Sequence, residues 1–249
     1  MIRLIGAELF KLRSTRLYPG LLAAASGLVI LVTAIQFALG GPLHIEGAAA
    51  SVHTPADLRS MIDVSGVAGL FTLVLGATAV AGEARHHTIA TAFLLTPQRW
   101  RVVTAKVLAY TVAGAVFGLV VEMAALAVTV GWLAATAAPI PFGSTVAVGL
   151  AVGPVATGLA AGFGAGISAA VPNQLGAVLV AVGWVMVAER LLSGLLPRVA
   201  EWLPFAGAGA AITAENSLLG FAGGAALFLA YLIAVAAAGV VVTQRRDIT

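Results

Sequence analysis

The sequence contains no cysteine. Disulfides, thiolate metal sites and a cysteine nucleophile are therefore excluded. Charge is almost as scarce. Asp, Glu, Lys and Arg make up 9% of the 249 residues, against about 25% in an ordinary soluble domain. So few charges cannot cover a water-facing surface. With 61% hydrophobic residues, the chain belongs in a bilayer. Catalytic signatures are missing too. There is no G-x-x-x-x-G-K-[ST], no H-E-x-x-H and no G-x-S-x-G. His86 and His87 are adjacent and point to different sides of a helix, which makes a poor metal pair. They read better as interfacial polar residues. No catalytic, cofactor or metal site is expected. The net charge of +3 would suit nucleic acid, but the basic residues cluster at the ends of apolar runs, where membrane topology puts them.

What is present is a series of apolar runs. Six spans are expected, at about 19–39, 61–81, 102–133, 144–171, 175–192 and 218–242. A span of ~20 residues rises about 30 Å and crosses the hydrocarbon. Pro19 suits a first helical turn, and Tyr18 suits an interface. The first run is longer than the ~7–15 residues of a signal peptide core. An uncleaved first helix is expected, although Ala48-Ala49-Ala50 is a weak cleavage candidate. Residues 40–60 read as a polar loop. Residues 82–101 form a second one, and 193–217 a longer segment with Pro197, Trp202, Pro204 and Phe205. Ahead of the spans, Ile2, Ile5, Leu9 and Leu12 make one stripe, with Arg3, Glu8, Lys11 and Arg13 mostly off it. That is an amphipathic interface helix over 2–16.

Orientation follows from Lys and Arg. With the N-terminus inside, one side holds Arg3, Lys11, Arg13, Arg16, Arg85, Arg99, Arg101, Lys106, Arg245 and Arg246. The other holds only Arg59, Arg190 and Arg198. The predicted fold is an all-α integral membrane protein, a single domain over 1–249, with six transmembrane helices and both termini cytoplasmic. Lys106 is expected to snorkel to the headgroups. No internal repeat is visible.

Three polar or small-residue features sit inside the spans. Glu122 is sixteen residues beyond Lys106, about 24 Å along a helix. A charged carboxylate facing lipid there costs at least ~2–3 kcal/mol. Glu122 must face the bundle or a watery cavity, or be protonated, either in a pathway or in an interhelical hydrogen bond. In the fourth span, Gly149-xxx-Gly153 and Gly158-xxx-Gly162-xxx-Gly166 let backbones approach closely, within one bundle or between copies. Pro154 adds a kink. Glu189-Arg190 lies near the outer end of the fifth span, placed to snorkel or to meet a partner.

The stretch 82–106 combines charge, histidines, hydroxyls and proline between two apolar spans. Its pattern is Gly82-Glu83-x-Arg85-x-x-Thr88, then Thr91, Leu95, Pro97-x-Arg99 and Ala105-Lys106. It resembles the first cytoplasmic loop of type-2 ATP-binding-cassette (ABC) transporter permeases. Ala7-Glu8-Leu9-x-Lys11-Leu12-Arg13-Ser14-Thr15-Arg16 is similar to the start of that family, especially its actinobacterial branch. Arg245-Arg246-Asp247 is similar to its usual ending. The resemblance implies the membrane subunit of an ATP-driven exporter in a bacterial cell membrane. It implies a dimer with a second copy or a paralogue, and two separate ATPase subunits that carry ATP and Mg. It further implies that the 2–16 helix and the loop rest on those ATPases. Glu8, Lys11, Arg13, Glu83, Arg85, Thr88, Thr91 and Arg99 are then the coupling residues. Glu83 and Arg85 pair with charges on the N-terminal helix or the ATPase, Thr88 and Thr91 contact or cap, Gly82 permits a tight exit from the second span, and Pro97 ends the loop helix. Short outer helices are implied for 193–217. No motif carries over to the cargo. Two other readings stand beside this one: a secondary transporter relaying protons through Glu122, and a non-transporting membrane partner or immunity protein. The lack of repeated halves counts against the first of these.

Overall fold

The computed structural model describes residues 1–38, 52–85, 98–171, 173–213 and 219–245. The described residues are helical, with no strand among them. Among the described residues twelve α-helices follow in order: α1 (Ile2–Ser14), α2 (Leu17–Ala38), α3 (Pro55–Ile62), α4 (Ser65–Ala77), α5 (Ala81–Arg85), α6 (Arg99–Ala135), α7 (Ser144–Ala170), α8 (Gln174–Gly183), α9 (Glu189–Leu195), α10 (Pro197–Ala200), α11 (Ala210–Thr213) and α12 (Gly220–Arg245). A π-helical turn, Trp184–Ala188, joins α8 to α9, and another, Pro204–Gly209, leads into α11.

Six of these helical stretches are long and apolar enough to cross a membrane: Leu17–Phe37, Pro55–Ala77, Arg99–Ala135, Ser144–Ala170, Gln174–Leu195 and Gly220–Arg245. They fit a multi-pass membrane protein. Large apolar side chains such as Leu31, Leu175, Leu179 and Ile233 point outward. That is costly in water and ordinary in lipid.

The second span differs from expectation. Residues 55–60, assigned to a polar loop, are helical and belong to α3. Thr54 and Asp57 form a reciprocal cap. The Asp57 N–H donates to Thr54 Oγ1 at 3.2 Å, and the Thr54 N–H donates to Asp57 Oδ2 at 2.8 Å. Pro55 occupies the first turn. All the start signals were in the sequence. The span breaks at Asp63–Val64 and resumes as α4. Gly82 also departs from expectation. It lies inside α5, its N–H donating to Thr78 O at 3.0 Å, with no left-handed backbone. Nothing in the local geometry requires glycine there.

The fourth span, α7, is the axis of the bundle. It packs against the second, third and sixth spans, and its glycines let it do so. A Cβ on Gly158 would sit 2.8 Å from Thr111 O, and one on Gly166 would sit 3.1 Å from Ala236 N. Gly162 faces Thr111 and Leu232, and Gly76 of α4 faces the Ala161 carbonyl. In each case backbone or a side chain of a neighbouring helix fills the missing Cβ. In the first, fifth and sixth spans only 17% of the most apolar stretch is buried, against 56% in the second and fourth.

Candidate functional site

Four charged side chains meet where α1, α5 and the start of α6 converge. Lys106 sits two turns into α6 and is 1% exposed. Its Nζ donates to Glu8 Oε2 and to Glu83 Oε1, both at 2.7 Å. Lys11 Nζ donates to Glu8 Oε1 at 2.7 Å and to Glu83 Oε1 at 3.0 Å. Lys106 therefore does not snorkel. Its ammonium turns inward, because two carboxylates meet it there and satisfy the charge that burial would otherwise penalise. Two cations and two anions meet here, so α1 and α5 are both tied to one lysine of the third span.

The local folding explains the placement. Glu8 and Lys11 are one turn apart on α1, and the same turn buries Leu12. Val80 N–H and Ala81 N–H both donate to Ser168 Oγ of α7, at 3.0 and 2.9 Å. That anchors the start of α5 and aims Glu83 at Lys106. Burial alone would raise the Glu83 carboxyl, but Lys106 and then Lys11 outweigh it and hold the group below its ordinary value of 4.5. Burial alone would lower Lys11, but the hydrogen bonds it donates to Glu8 and Glu83 raise it above 10.5.

Arg99 binds the same end of the bundle to the last helix. It donates to Thr243 O at 3.0 Å and Gln244 O at 3.4 Å. These carbonyls belong to the last turn of α12, the negative end of its dipole. Arg13 is exposed on α1 and has no ion-pair partner among the described residues. Arg85 closes α5. Thr88, Thr91 and Pro97 lie outside the described residues. The apolar stripe of α1 is only partly covered: Leu12 is buried, Leu9 packs against the core and Ile5 is half-buried, while Ile2 is exposed, as is Phe10 off the stripe.

Glu122 lies elsewhere, deep in the bundle and 3% exposed. Its carboxylate rests on the Cα of Gly153, and Oε2 has no hydrogen-bond partner among the described residues. One turn away, a Cβ on Gly149 would lie 3.1 Å from Arg59 Cγ. The Gly149-xxx-Gly153 pair thus seats two long charged side chains and no neighbouring backbone. Arg59, counted among the outer-side basic residues, is buried and donates to Thr213 O.

Glu189 is a site that sequence reasoning misplaced. It does not reach outward. It is 2% exposed, and its carboxylate accepts from Trp184 Nε1 at 2.6 Å, Ala206 N at 2.6 Å and Phe205 N at 3.1 Å. It caps the first turn of the Pro204–Thr213 helical segment from a different helix. Phe205 then stacks edge-on with Phe163 and Phe228, at 5.5 and 5.1 Å between centroids. An acid followed by an Arg at a span end gave no sign of this inward turn. Pro204 in a helix-start position was the available hint.

Compared with known proteins, the chain matches no family model and no curated protein.

Proposed function

We propose that the chain is the membrane-spanning permease subunit of an ATP-driven ABC exporter in a bacterial cell membrane. It would work as a dimer with a second copy or a paralogue, over two separate ATPase subunits. The observation that supports this reading is the Glu8–Lys11–Glu83–Lys106 cluster. In this proposal both termini are cytoplasmic, α1 lies in the membrane interface, and α1 with the 82–101 loop forms the surface on which the ATPases push. A push on a floppy loop would be lost. A push on α1 or α5 reaches α6 directly, because both end on Lys106, and packed elements move as units. Arg99 extends the same unit to the end of α12.

The test is to reconstitute the chain with its cognate ATPase. Glu83→Ala is expected to lower ATP-driven transport while the isolated ATPase stays unaffected. Transport by the chain with no ATPase present would overturn the proposal. One observation favours the proton-coupled reading: the buried Glu122 carboxylate with an unpartnered oxygen. That reading expects transport to collapse with the proton gradient and with Glu122→Gln, and Glu83→Ala to be nearly silent.

A further inference from the structure

A cavity of about 810 Å³ is a cleft open on one side between the first, second and fifth spans and the Pro204–Thr213 segment, with Ala156 and Ala160 of the fourth span and Phe228 of the sixth also in its lining. Its size falls within the ~300–1,000 Å³ of small-molecule sites. Its lining is mostly apolar, with Leu28, Leu70, Leu73 and Ala160 among the apolar residues. Leu28 is eleven residues from the start of α2, about 16 Å along it and close to mid-membrane. Its polar lining comes from Ser65, Glu189, Arg190, Ser193 and Thr213. Arg190 is sixteen residues into the fifth span, about 24 Å along it.

Two observations bear on what this cleft can hold. First, its polar lining carries donors with no internal use. Ser193 Oγ is buried without a hydrogen-bond partner, and Arg190 has no ion-pair partner among the described residues. The neighbouring carboxylate, Glu189, is consumed by Trp184, Phe205 and Ala206 and does not neutralise Arg190. Second, the wall on α4 is kept low by Gly66 and Gly69. Unlike the glycines of α7, neither has any atom within 4 Å of where a Cβ would sit. They leave room where the others allow contact.

We propose that the cleft binds a single-tailed anionic amphiphile drawn from the membrane, with its tail along Leu28, Leu70 and Leu73 and its anionic head on Arg190 and Ser193. An apolar lining rewards a hydrocarbon tail. A cation without a counter-charge in the polar lining selects a negative head. The assignment of this amphiphile as exported cargo rests on the permease reading, whereas its binding does not.

The experiment uses the full chain in phosphatidylcholine nanodiscs, without ATPase. The probes are a fluorescent lysophosphatidic acid and the lysophosphatidylcholine with the same tail. Wild type is expected to bind the anionic probe at least about tenfold more tightly, equivalent to ~1.4 kcal/mol. Arg190→Gln brings the two probes within about twofold, the loss expected when a charge-assisted bond goes. Gly69→Phe plugs the cleft and weakens both probes, whereas Gly69→Ala, which adds a methyl in open space, leaves both near wild type. Equal binding of the two probes by wild type overturns the proposal, as does discrimination that survives Arg190→Gln. If Gly69→Phe dissociates a dimer and wild type binds neither probe, a second copy fills the cleft and the proposal is wrong. Should Gly69→Phe not fold, Arg190→Gln decides alone. Failure here with intact ATP-driven transport leaves the permease reading standing and removes only the ligand.

Discussion

The charge cluster predicts a specific failure of additivity. Lys106 is almost wholly buried, with two carboxylate oxygens at 2.7 Å. At that distance and an effective dielectric of about 20, each contact is an attraction of about 6 kcal/mol before desolvation is subtracted. Breaking a buried pair by removing one partner costs about 3–5 kcal/mol, because a charge is left uncompensated. Glu83→Gln leaves Lys106 with Glu8 alone, so the lower end, ~3 kcal/mol, is expected. Lys106→Met leaves two acids facing Lys11, which is half exposed, and should also cost about 3 kcal/mol. The double variant removes one charge of each sign and leaves Glu8 paired with Lys11. It should cost about 3–4 kcal/mol, well short of the sum, giving an interaction energy of at least ~2 kcal/mol. The assay is thermal unfolding of the detergent-solubilised protein, where each single variant should lose about 6–12 °C and the double should lose little more. If the double variant is as destabilised as the two singles added together, Lys106 and Glu83 are not coupled, and the tie between α5 and the third span has been misread.

Other consequences can be measured directly. Glu83 is held below 4.5 and Lys11 above 10.5. The stability from Glu83 is therefore present above pH 4.5 and lost as pH falls through its folded value, while that from Lys11 is present below pH 10.5 and lost as pH rises through its own. A nitroxide at Ala7→Cys, in a chain with no other cysteine, should show α1 immobile between these limits and loosening below the lower one. Gly153→Ala drives a methyl into the Glu122 carboxylate and should cost about 1–3 kcal/mol. Adding Glu122→Ala should restore part of that loss, as thermal unfolding would show. Glu189→Ala strips one carboxylate from three donors and should cost about 2–3 kcal/mol. Trp184 emission would then shift as its indole N–H loses its acceptor.

The six spans were legible because long apolar runs leave little choice of environment. The charge cluster was half legible. Glu8, Lys11 and Glu83 stood out as charges in greasy surroundings, yet Lys106 read as a snorkelling residue. A lysine near a helix end looks the same in sequence whether it turns toward headgroups or toward two carboxylates on other helices. Glu189 was misplaced for the same reason, since its three donors come from Trp184 and from residues sixteen and seventeen positions later. Spacing grouped Gly149 with Gly153 and Gly158 with Gly162 and Gly166. It could not say that the first pair receives side chains and the second set receives helices. The helix over 55–62 was a different case. Its Thr54-Pro55-x-Asp57 start was present and was outweighed by the polar composition around it.

The central place of α7 also bears on how the protein is made. The second and third spans touch it through their own backbones, at Gly76 and Thr111, yet both leave the ribosome before it. From Ala135 to Ala170 is thirty-five residues, about 2–7 s of synthesis. Through that interval the contacts that the second and third spans make with α7 cannot form, although those two spans can already pack on each other and on the first. The Arg99 bond to Thr243 can form only when the last span is complete, joining a helix made before α7 to the final one.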